Sequence, residues 1–440
     1  TAEQILDRIP NDTAIIGVSL MFSQEWVFHR SLIEKVKKRF PDVTMIVGGE
    51  HPTAMPEFVL RDCPEIDYVV TGEGELAFLE LVHRIFTNAD TQGILGVCFL
   101  EADDTLVSGG LSRRIAAIDQ MPRPAWHLIT VENYFMPNWT QGLATGRNVA
   151  VIATRGCPYQ CAFCSNPFMW TTRYIARDVR DVVDEIEELL DRYQATSIDF
   201  YDLTAIVKKP WIMDFCNEVK RRKLKFIWQL PSGTRSEALD EETLQAIYDT
   251  GCGLLTYAPE SGSPESLKAV KKKVKLPRII KSIRSAVKIG HTVKLNLIIG
   301  FPHERHSNVL ETVFFAWKMA FLGPEDLNIS IFTPYPGSEL YDQLREEGVI
   351  GKMDDEYFNS LLVQGSLAGA FSVSKHVSSR FMGLARFFGI GGFYGLAYLT
   401  HPTRIARLLR NLTKPQFQAH NLFEQRISDF RVRAKAQKAS

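Results

Sequence analysis

Short apolar runs alternate with segments of helical periodicity over much of the chain. Between residues 148 and 333, the segments that separate these runs carry apolar side chains at helical spacing with exposed charge between them. Strands that alternate with helices in this way form a parallel sheet, with functional loops at the carboxyl ends of the strands. The pattern therefore predicts six βα units. The predicted strands are 148–154, 197–201, 225–230, 253–257, 293–299 and 328–333.

The first part of the chain carries a shorter pattern of the same kind. Apolar runs at 14–20, 44–48 and 67–71 accompany a helix predicted over 26–40, which together make a βαβ pattern. Glycines directly after a parallel strand let the backbone approach a ligand closely, so the Gly48-Gly49 pair marks a predicted binding edge. Taken alone, this pattern predicts a generic Rossmann-like half-domain.

The chain changes character beyond Gly351. Residues 381–399 are largely apolar but interrupted by glycines, which is marginal against the requirement of about 20 apolar residues for a bilayer span. We expect packing or association with a membrane surface rather than a span. In the next segment Arg404, Arg407 and Arg410 alternate with apolar residues, which fits an interfacial amphipathic helix or a helical cap on the preceding domain.

The amino-acid composition limits which binding partners and which cellular compartment we expect. Lysine plus arginine equals aspartate plus glutamate, at 51 each, so no net field draws the chain to nucleic acid. Seven cysteines in 440 residues, without a signal-peptide pattern at the start, do not indicate a secreted disulfide framework. We therefore expect a cytoplasmic protein that binds no nucleic acid and is peripheral at the membrane if residues 381–412 contact lipid.

Three cysteines, Cys157, Cys161 and Cys164, lie close together and no fourth follows nearby. A structural zinc site usually takes four ligands from two separated pairs, so an incomplete zinc knuckle or unrelated thiols are the alternatives here. The remaining cysteines stand singly in apolar segments, as is typical of core positions. Three thiolates can instead hold a 4Fe-4S cluster and leave one iron open for a substrate or cofactor.

The spacing C-x3-C-x2-C, with Phe163 before the third cysteine, resembles the signature of radical S-adenosylmethionine (SAM) enzymes. The resemblance implies that the open iron chelates SAM and that one electron from the cluster cleaves SAM to a 5'-deoxyadenosyl radical. It also implies SAM contacts from Phe163, Asp202, Arg235, Glu260, Ser261 and Gly300. Phe163 equally fits a hydrophobic plug, and Asp202 and Arg235 fit surface or capping roles. The Ser261–Ser263 turn also fits a helix start, with Ser263 as N-cap.

The Ser19-Leu20-Met21 segment, followed by the two glycines after the second strand, resembles parts of the cobalamin-binding signature. The resemblance implies that the glycines make room for the nucleotide tail of cobalamin and that Ser19 hydrogen-bonds its dimethylbenzimidazole. The cobalamin-binding residues predicted in this way are Ser19, Met21, Gly48, Gly49, His51, Gly72 and Glu73.

The lower ligand of cobalt is not predicted. The first part of the cobalamin signature, D-x-H-x-x-G, would lie before Thr1, and we expect an N-terminal portion to be missing from this numbering. His51 fits a corrin contact or a local hydrogen bond better than the role of lower ligand.

Taken together, the segments GGEHPT, VVTGEGE, RGCPYQCAFC and PYPGSELY resemble cobalamin-binding radical SAM enzymes over roughly residues 14–350. Within that family they resemble the anaerobic magnesium-protoporphyrin ester cyclase-like members and the class B radical SAM methyltransferases. The resemblance implies three cofactors, namely a 4Fe-4S cluster, SAM and cobalamin. It also implies an external one-electron reductant of the flavodoxin or ferredoxin type.

The predicted fold is an α/β chain with several parts. We expect a partial cobalamin-binding Rossmann-like domain over 1–112, a linker over 113–146, a partial (βα)6 TIM-type radical SAM barrel over 147–345 and a helical region over 346–440. The linker aromatics fit either a substrate cavity or interdomain packing.

The predicted reaction is methylation of an unactivated carbon in a small, hydrophobic substrate. A cobalamin-associated cyclase or ring-rearrangement enzyme without methyl transfer is the first alternative. A non-catalytic cluster or cobalamin protein is the second. No catalytic acid or base is predicted from the sequence.

Overall fold

The structure is a computed structural model of the 440-residue chain. It describes residues 2–135, 142–143, 145–235, 238–364, 372–413, 421, 423–424 and 427. The strands are β1 (Ile15–Ser19), β2 (Thr44–Gly48), β3 (Tyr68–Val70), β4 (Val97–Leu100), β5 (Leu106–Ser108), β6 (Asn148–Val151), β7 (Thr154–Arg155), β8 (Ile175–Ala176), β9 (Ser197–Phe200), β10 (Ile227–Thr234), β11 (Cys252–Glu260), β12 (Thr292–Ile299) and β13 (Asp326–Ile331). The α-helices are α1 (Ala2–Leu6), α2 (Trp26–Arg39), α3 (Glu50–Ala54), α4 (Pro56–Asp62), α5 (Gly74–Phe86), α6 (Asn166–Trp170), α7 (Val179–Tyr193), α8 (Lys209–Arg222), α9 (Glu241–Asp249), α10 (Pro264–Ala269), α11 (Leu276–Ile289), α12 (His306–Ala320), α13 (Glu339–Glu346), α14 (Asp355–Ser360), α15 (Ser379–Thr400) and α16 (Thr403–Thr413).

The first of two compact units contains a sheet of order β1-β2-β3-β4-β5. The unit comprises Thr1–Ala116, Gly156–Arg173 and Phe332–Val373. Strands β1, β2 and β3 run parallel, and β4 and β5 continue the sheet in antiparallel orientation. The apolar runs predicted as strands therefore form the parallel part of the sheet, and the Rossmann-like half-domain is confirmed.

Helix α2 packs against this sheet because its apolar side chains recur on one face. Trp26, Ile33 and Val36 are buried in a core that includes Met45 of β2. The Trp26 indole also donates a hydrogen bond to Asp62 at 2.8 Å, which satisfies its polar N–H. Three basic residues in the last turn of α2 suit the negative end of the helix dipole. This packing fixes the strand ends at which the predicted cobalamin residues lie.

The second unit contains a six-stranded sheet of order β13-β12-β11-β10-β9-β6. The unit comprises Ala117–Arg155, Tyr174–Ile331 and Ser374–Ser440. Every pairing in this sheet is parallel, and each strand lies beside its neighbour in the βα series. Such a sheet winds in one direction, as in part of a (βα) barrel. The six βα units predicted from the apolar runs are confirmed.

This parallel sheet has an outer face that packs on helices and an opposite inner face. Leu295 of β12 is fully buried, and its register partner Tyr257 shares a hydrogen bond of 2.8 Å with Ser282 of α11. These side chains therefore identify the outer face. Because side chains alternate along a strand, Lys294 and Asn296 lie on the inner face.

The C-terminal helices pack on the outer side of the second unit. A Cβ at Gly389 of α15 would lie 2.6 Å from Ile329 of β13, so the glycine permits close helix-sheet packing. The guanidinium of Arg404 donates to the carbonyl oxygen of Pro324 at 3.0 Å, and Arg407 forms an ion pair with Glu325 at 2.7 Å. The polar face of α16 is therefore turned toward the unit, as in the helical cap alternative.

The amphipathic pattern of α16 is thus oriented differently from the interfacial helix considered above. Arg404 and Arg407 face inward because Glu325 and two backbone carbonyl groups bind them there, while Ile405 and Leu409 are exposed. Across the part of the chain that the structure describes, no helix is both long enough and apolar enough to span a bilayer.

Candidate functional site

The three clustered cysteines lie in the first unit, in a loop between β7 and α6. We call residues 156–165 the cluster loop. Gly156 has φ of +80°, and a Cβ there would lie 2.3 Å from the carbonyl oxygen of Arg173, so only glycine fits the start of this loop. Later in the loop, the amide of Cys164 donates to the carbonyl oxygen of Cys161 at 3.0 Å. This hydrogen bond closes a turn between two of the cysteines.

The Cys164 thiol of this loop is protonated in the absence of a metal, as its pKa shows. Burial raises the pKa of Cys164 to about 12, so its proton leaves when a metal binds rather than before. A 4Fe-4S cluster binds each thiolate at a different iron, and the assignment of these three cysteines to the cluster stays a prediction.

Asn166, directly after the cluster loop, adds a second indication. Its side chain is buried, and neither its amide nitrogen nor its oxygen has a hydrogen-bond partner among the described residues. A buried amide without partners is costly, by about 1–3 kcal/mol, and is rare unless it faces a group that binds it. The loop therefore fits a polar or ionic group beside the thiols. The role of Phe163, which is partly exposed, stays a prediction.

The predicted cobalamin glycines lie next to the end of β1. The amide of Leu20 donates to the carbonyl oxygen of Gly48 at 2.7 Å, and the amide of His51 donates to that of Leu20 at 3.1 Å. Gly49 has φ of +111°, and a Cβ there would lie 2.6 Å from the Leu20 carbonyl oxygen. The backbone itself thus requires glycine at this position, whether or not a ligand is bound.

Ser19 and Met21 are exposed beside this glycine loop, and Met21 retains 40% of its accessible surface. They lie at the carboxyl end of a parallel strand, where ligands of open α/β sheets bind. The edge formed by Ser19, Met21 and the Gly48-Gly49 loop therefore fits a ligand such as cobalamin.

His51 has local partners instead of an exposed face. Its side chain is 1% exposed, and its Nδ1 lies 3.0 Å from the Ser23 hydroxyl. The ring contacts Trp26 and Phe358 at centroid distances of 5.2 and 5.6 Å, and burial lowers its pKa to about 3. The ring therefore makes the local hydrogen bond considered as one reading of His51, and its place among the cobalamin contacts stays a prediction.

Gly72 and Glu73 are buried in the same region. The Thr53 hydroxyl donates to the carbonyl oxygen of Gly49 at 2.6 Å and accepts from the amide of Gly72 at 2.9 Å, which links the two loops. The Glu73 carboxylate accepts hydrogen bonds from Arg114 and from the amide of Ile115, both at 2.6 Å. Glu73 therefore holds the loops of this unit together.

The cluster loop and the residues just after it are linked to both of these loops within the first unit. The Ser165 hydroxyl donates to the carboxylate of Glu50, which follows the cobalamin glycines. Arg114, bound to Glu73, also donates to Thr171 at 3.1 Å, just beyond the cluster loop. The amide of Leu340, from the PYPGSELY segment, donates to the Ala162 carbonyl oxygen at 2.9 Å. Three of the motifs singled out in the sequence are therefore brought together around the cysteines.

Asp202 lies in the second unit and is fully enclosed. Its carboxylate accepts from the Thr154 hydroxyl at 2.5 Å and from the amide of Ala153 at 3.1 Å. Burial raises the pKa of Asp202 to about 6 although these hydrogen bonds favour the ionised form. The side chain thus ties the end of β9 to the chain that leads into the cluster loop.

The other predicted SAM residues are also engaged within the second unit. Glu260 has φ of +67° and forms an ion pair with Lys272 at 2.8 Å. A positive φ in a residue other than glycine is strained and is often found at functional sites. Ser261 shares a hydrogen bond of 2.9 Å with Thr312, and Arg235 donates to the carbonyl oxygen of Lys273.

The helix-start alternative holds beside this strained residue. Helix α10 begins at Pro264 with Ser263 as its N-cap residue, but the Ser263 side chain does not cap it. It accepts instead from the Asn308 amide at 3.1 Å. Gly300 has φ of +92°, and its amide donates to Glu304 at 2.6 Å.

Three further residues at strand ends were not predicted from the sequence. In the described regions, no group hydrogen-bonds to the Thr204 hydroxyl after β9, to the Thr234 hydroxyl at the end of β10 or to Nε2 of His303 after β12. Buried polar atoms without partners at the mouth of a parallel sheet fit a polar ligand such as SAM. Threonine is common in strands, so the sequence carries no signal that distinguishes these positions.

Comparison with known proteins now identifies the family. A model of the radical SAM superfamily matches residues 151–316, and a model of the B12 binding domain matches residues 1–82. An uncharacterised methyltransferase of Pyrococcus horikoshii is 30% identical over 332 residues, which are 75% of this chain and 69% of that protein. The chain belongs to the cobalamin-binding radical SAM family. It is an enzyme, and its cofactors are a 4Fe-4S cluster, SAM and cobalamin.

Other relatives of this cobalamin-binding radical SAM enzyme differ in their reactions. The anaerobic magnesium-protoporphyrin IX monomethyl ester cyclase of Rubrivivax gelatinosus is 27% identical over 78% of this chain and 60% of its own length. The cytidylyl-2-hydroxyethylphosphonate methyltransferase of Streptomyces wedmorensis is 28% identical over 66% of this chain and 58% of its own length. The chain therefore spans less than two thirds of these two proteins.

Solved structures of the family share the fold of this enzyme. The radical SAM methyltransferase TsrM of Kitasatospora setae, with tryptophan and a SAM analogue bound, has a TM-score of 0.64 at 18% identity, over 90% of this chain and 80% of that chain. The cobalamin-dependent radical SAM enzyme OxsB, with aqua-cobalamin and SAM, has a TM-score of 0.68 at 15% identity, over 99% of this chain and 69% of that chain.

Proposed function

We propose that this enzyme methylates an unactivated carbon of a hydrophobic substrate. Cobalamin would supply the methyl group and cluster-bound SAM the 5'-deoxyadenosyl radical that removes the substrate hydrogen atom. The observation that carries the proposal is that Ser165 of the cluster loop binds Glu50, beside the predicted cobalamin glycines, while Arg114 joins Glu73 to Thr171, just beyond the cluster loop. One substrate carbon could therefore be reached from both cofactor sites.

The residues of this chain would hold and orient the two cofactors. Cys157, Cys161 and Cys164 would bind the cluster. Ser19 and the glycine loop would hold the nucleotide tail of cobalamin. The buried hydroxyl groups at the strand ends would bind polar atoms of SAM, and Glu260, held by Lys272, would position the loop that follows β11. An external flavodoxin or ferredoxin would supply the electron.

A membrane surface would suit a hydrophobic substrate, and the C-terminal helices support such a contact. Leu384, Phe387, Phe388 and Leu399 of α15 are all more than half exposed. Residues 379–413 contain no acidic residue, and of their five arginines Arg380 and Arg410 are exposed, whereas the other three are turned into the unit. An apolar stripe beside basic groups matches an anionic bilayer surface better than it matches a neutral one.

Product mass tests the proposed reaction directly. Anaerobically reconstituted enzyme, a reductant and methyl-deuterated SAM would be incubated with a hydrophobic extract, with and without cobalamin. We expect a product heavier by one labelled methyl group, and we expect it only when cobalamin is present. Formation of 5'-deoxyadenosine without cobalamin would serve as the control for an intact cluster and SAM site.

A cyclase is the second candidate, because the Rubrivivax cyclase aligns with 78% of this chain. The same experiment separates the two reactions. A product that carries no label and is lighter by hydrogen atoms would support cyclisation and contradict methyl transfer.

A further inference from the structure

The inner face of the parallel sheet carries polar side chains that differ in how well they are satisfied. On β6, β9 and β10 these side chains bond to one another. The amide of Gln229 donates to Asp199 at 3.1 Å, and the amide of Asn148 donates to the same carboxylate oxygen at 3.2 Å. Gln229 also donates to the carbonyl oxygen of Leu143 at 2.8 Å. This part of the inner face is a closed hydrogen-bond network.

The inner face of β11 and β12 is different. Thr256 of β11 is in register with Lys294 of β12, and Asn296 follows two positions later on the same face. Thr256 is fully buried, yet its hydroxyl has no hydrogen-bond partner among the described residues, and neither has the buried Oδ1 of Asn296. We call Thr256, Lys294 and Asn296 the inner-face cluster.

The lysine of this cluster forms no ion pair with a described residue. Its register partner on β13 is Asp326, but the carboxylate of Asp326 accepts a hydrogen bond from the Tyr394 hydroxyl. In the portions of the chain with described side chains, no hydrogen bond or ion pair involves Lys294. Lys294 is only half-buried, so part of its side chain remains accessible.

From this arrangement we propose that the inner-face cluster binds an anionic oxygen group, a carboxylate or a phosphate, of the substrate. The ammonium of Lys294 and the hydroxyl of Thr256 are donors, and a rotation of the Asn296 side-chain amide presents two more. Such donors favour an anionic oxygen acceptor. The inference rests on the proposed function and narrows its substrate to a molecule with an apolar body and an anionic group.

Binding of inorganic phosphate tests the inner-face cluster, and the identity of the substrate is not needed for this test. Calorimetry would measure phosphate binding to the full chain loaded with its 4Fe-4S cluster, cobalamin and saturating SAM. We expect Lys294→Met to weaken phosphate binding about tenfold or more, because a charge-assisted hydrogen bond is lost. Lys294→Arg should largely restore it. The matched control, Lys288→Met, changes an exposed lysine of α11 and should leave binding unchanged.

Thr256→Val provides an independent readout. The change removes a buried hydroxyl that has no partner, so we expect an unchanged or higher melting temperature together with weaker phosphate binding. A lower melting temperature with unchanged phosphate binding would assign Thr256 to the fold and would contradict the proposal. This variant also carries the test if Lys294→Met fails to fold.

Measurements of SAM binding show whether the anionic group belongs to the substrate or to SAM. If the inner-face cluster held the carboxylate of SAM, Lys294→Met would weaken SAM binding and 5'-deoxyadenosine formation. That result would overturn the assignment of the anionic group to the substrate. Normal phosphate binding at the cluster without any methylated product would contradict the proposed reaction and leave the anion site standing. Methyl transfer unaffected by Lys294→Met would contradict the anion site alone.

Discussion

Asp202 illustrates how a single buried carboxyl group couples stability to pH. Its folded pKa of about 6 lies above the ordinary value of 3.8, because burial disfavours the charged form. Between these two values the folded chain holds a proton that the unfolded chain has released. The stabilising contribution of the protonated form is therefore complete below about pH 4 and is lost as the pH rises through 6.

We expect Asp202→Asn to remove this pH dependence. By linkage, Asp202 should contribute about 2 kcal/mol less stability at pH 7 than at pH 4. Urea unfolding of the cluster-free chain at both pH values would measure the difference between the wild type and the variant. An unchanged difference would show that Asp202 has an ordinary pKa in the folded chain.

The three cysteines of the cluster loop carry the second prediction. Replacement of all three by alanine should abolish bound iron, labile sulfide and the brown absorbance, since each thiolate binds a different iron. Cys216→Ala, at a buried thiol in the core, is the control and should keep the cluster. Stoichiometric zinc without labile sulfide in the reconstituted wild type would disprove the cluster assignment.

Elements of regular structure show where sequence reasoning works in this chain. The run 44–48 became β2 and the run 293–299 became β12, because apolar residues bounded by turn signals have few other structures open to them. The orientation of α16 could not be predicted, since its arginines suit lipid headgroups as well as Glu325, which is distant in sequence. Pattern fixes an element, but the partner of its polar face depends on the tertiary fold.

In the candidate site, too, some features could be predicted from the sequence pattern and others depend on the tertiary fold. The positions of Cys157 and Gly49 in loops could be predicted because each follows a predicted strand, and Ser19 could be placed near the end of one. The ion pair of Glu260 with Lys272 could not, and neither could the unpartnered hydroxyl of Thr256, since both depend on how neighbouring strands and loops meet.

The edge at β1 carries the third prediction. Because the backbone requires glycine at position 49, a substitution there would damage the loop as well as any ligand site. Ser19 is exposed, so Ser19→Phe should leave the fold intact while its ring occupies the space proposed for the nucleotide tail. After reconstitution with hydroxocobalamin, the variant should keep the cluster absorbance and lose the corrin bands.

Asp12→Phe is the matched control for this variant, because Asp12 is exposed before the opposite end of β1. It should bind cobalamin normally. Corrin bound by Ser19→Phe at the wild-type ratio would place the ligand elsewhere.

At the scale of the whole molecule, the exposed aromatics of α15 carry the fourth prediction. We expect the enzyme to float with vesicles that contain phosphatidylglycerol and to float poorly with phosphatidylcholine alone, because basic residues accompany the apolar stripe. The double variant with Phe387→Glu and Phe388→Glu should remain in solution. Phe28→Glu, at an aromatic of α2 that is also more than half exposed, should still float.

Dimerisation offers the competing explanation for this stripe. A wild type that forms dimers and does not float, with dimers lost in the double variant, would assign the stripe to a second copy of the chain.

The two compact units are interleaved along the chain, and this has a consequence for how the gene can change. The chain passes from one unit to the other after Ala116, Arg155, Arg173, Ile331 and Val373. The cysteines therefore lie, along the sequence, between two segments of the second unit. They fold with the first unit, against Glu50 and Leu340. Recombination that exchanged residues 1–112 as a cassette would separate the cysteines from the loop that supports them. The two halves of such an enzyme should be inherited together.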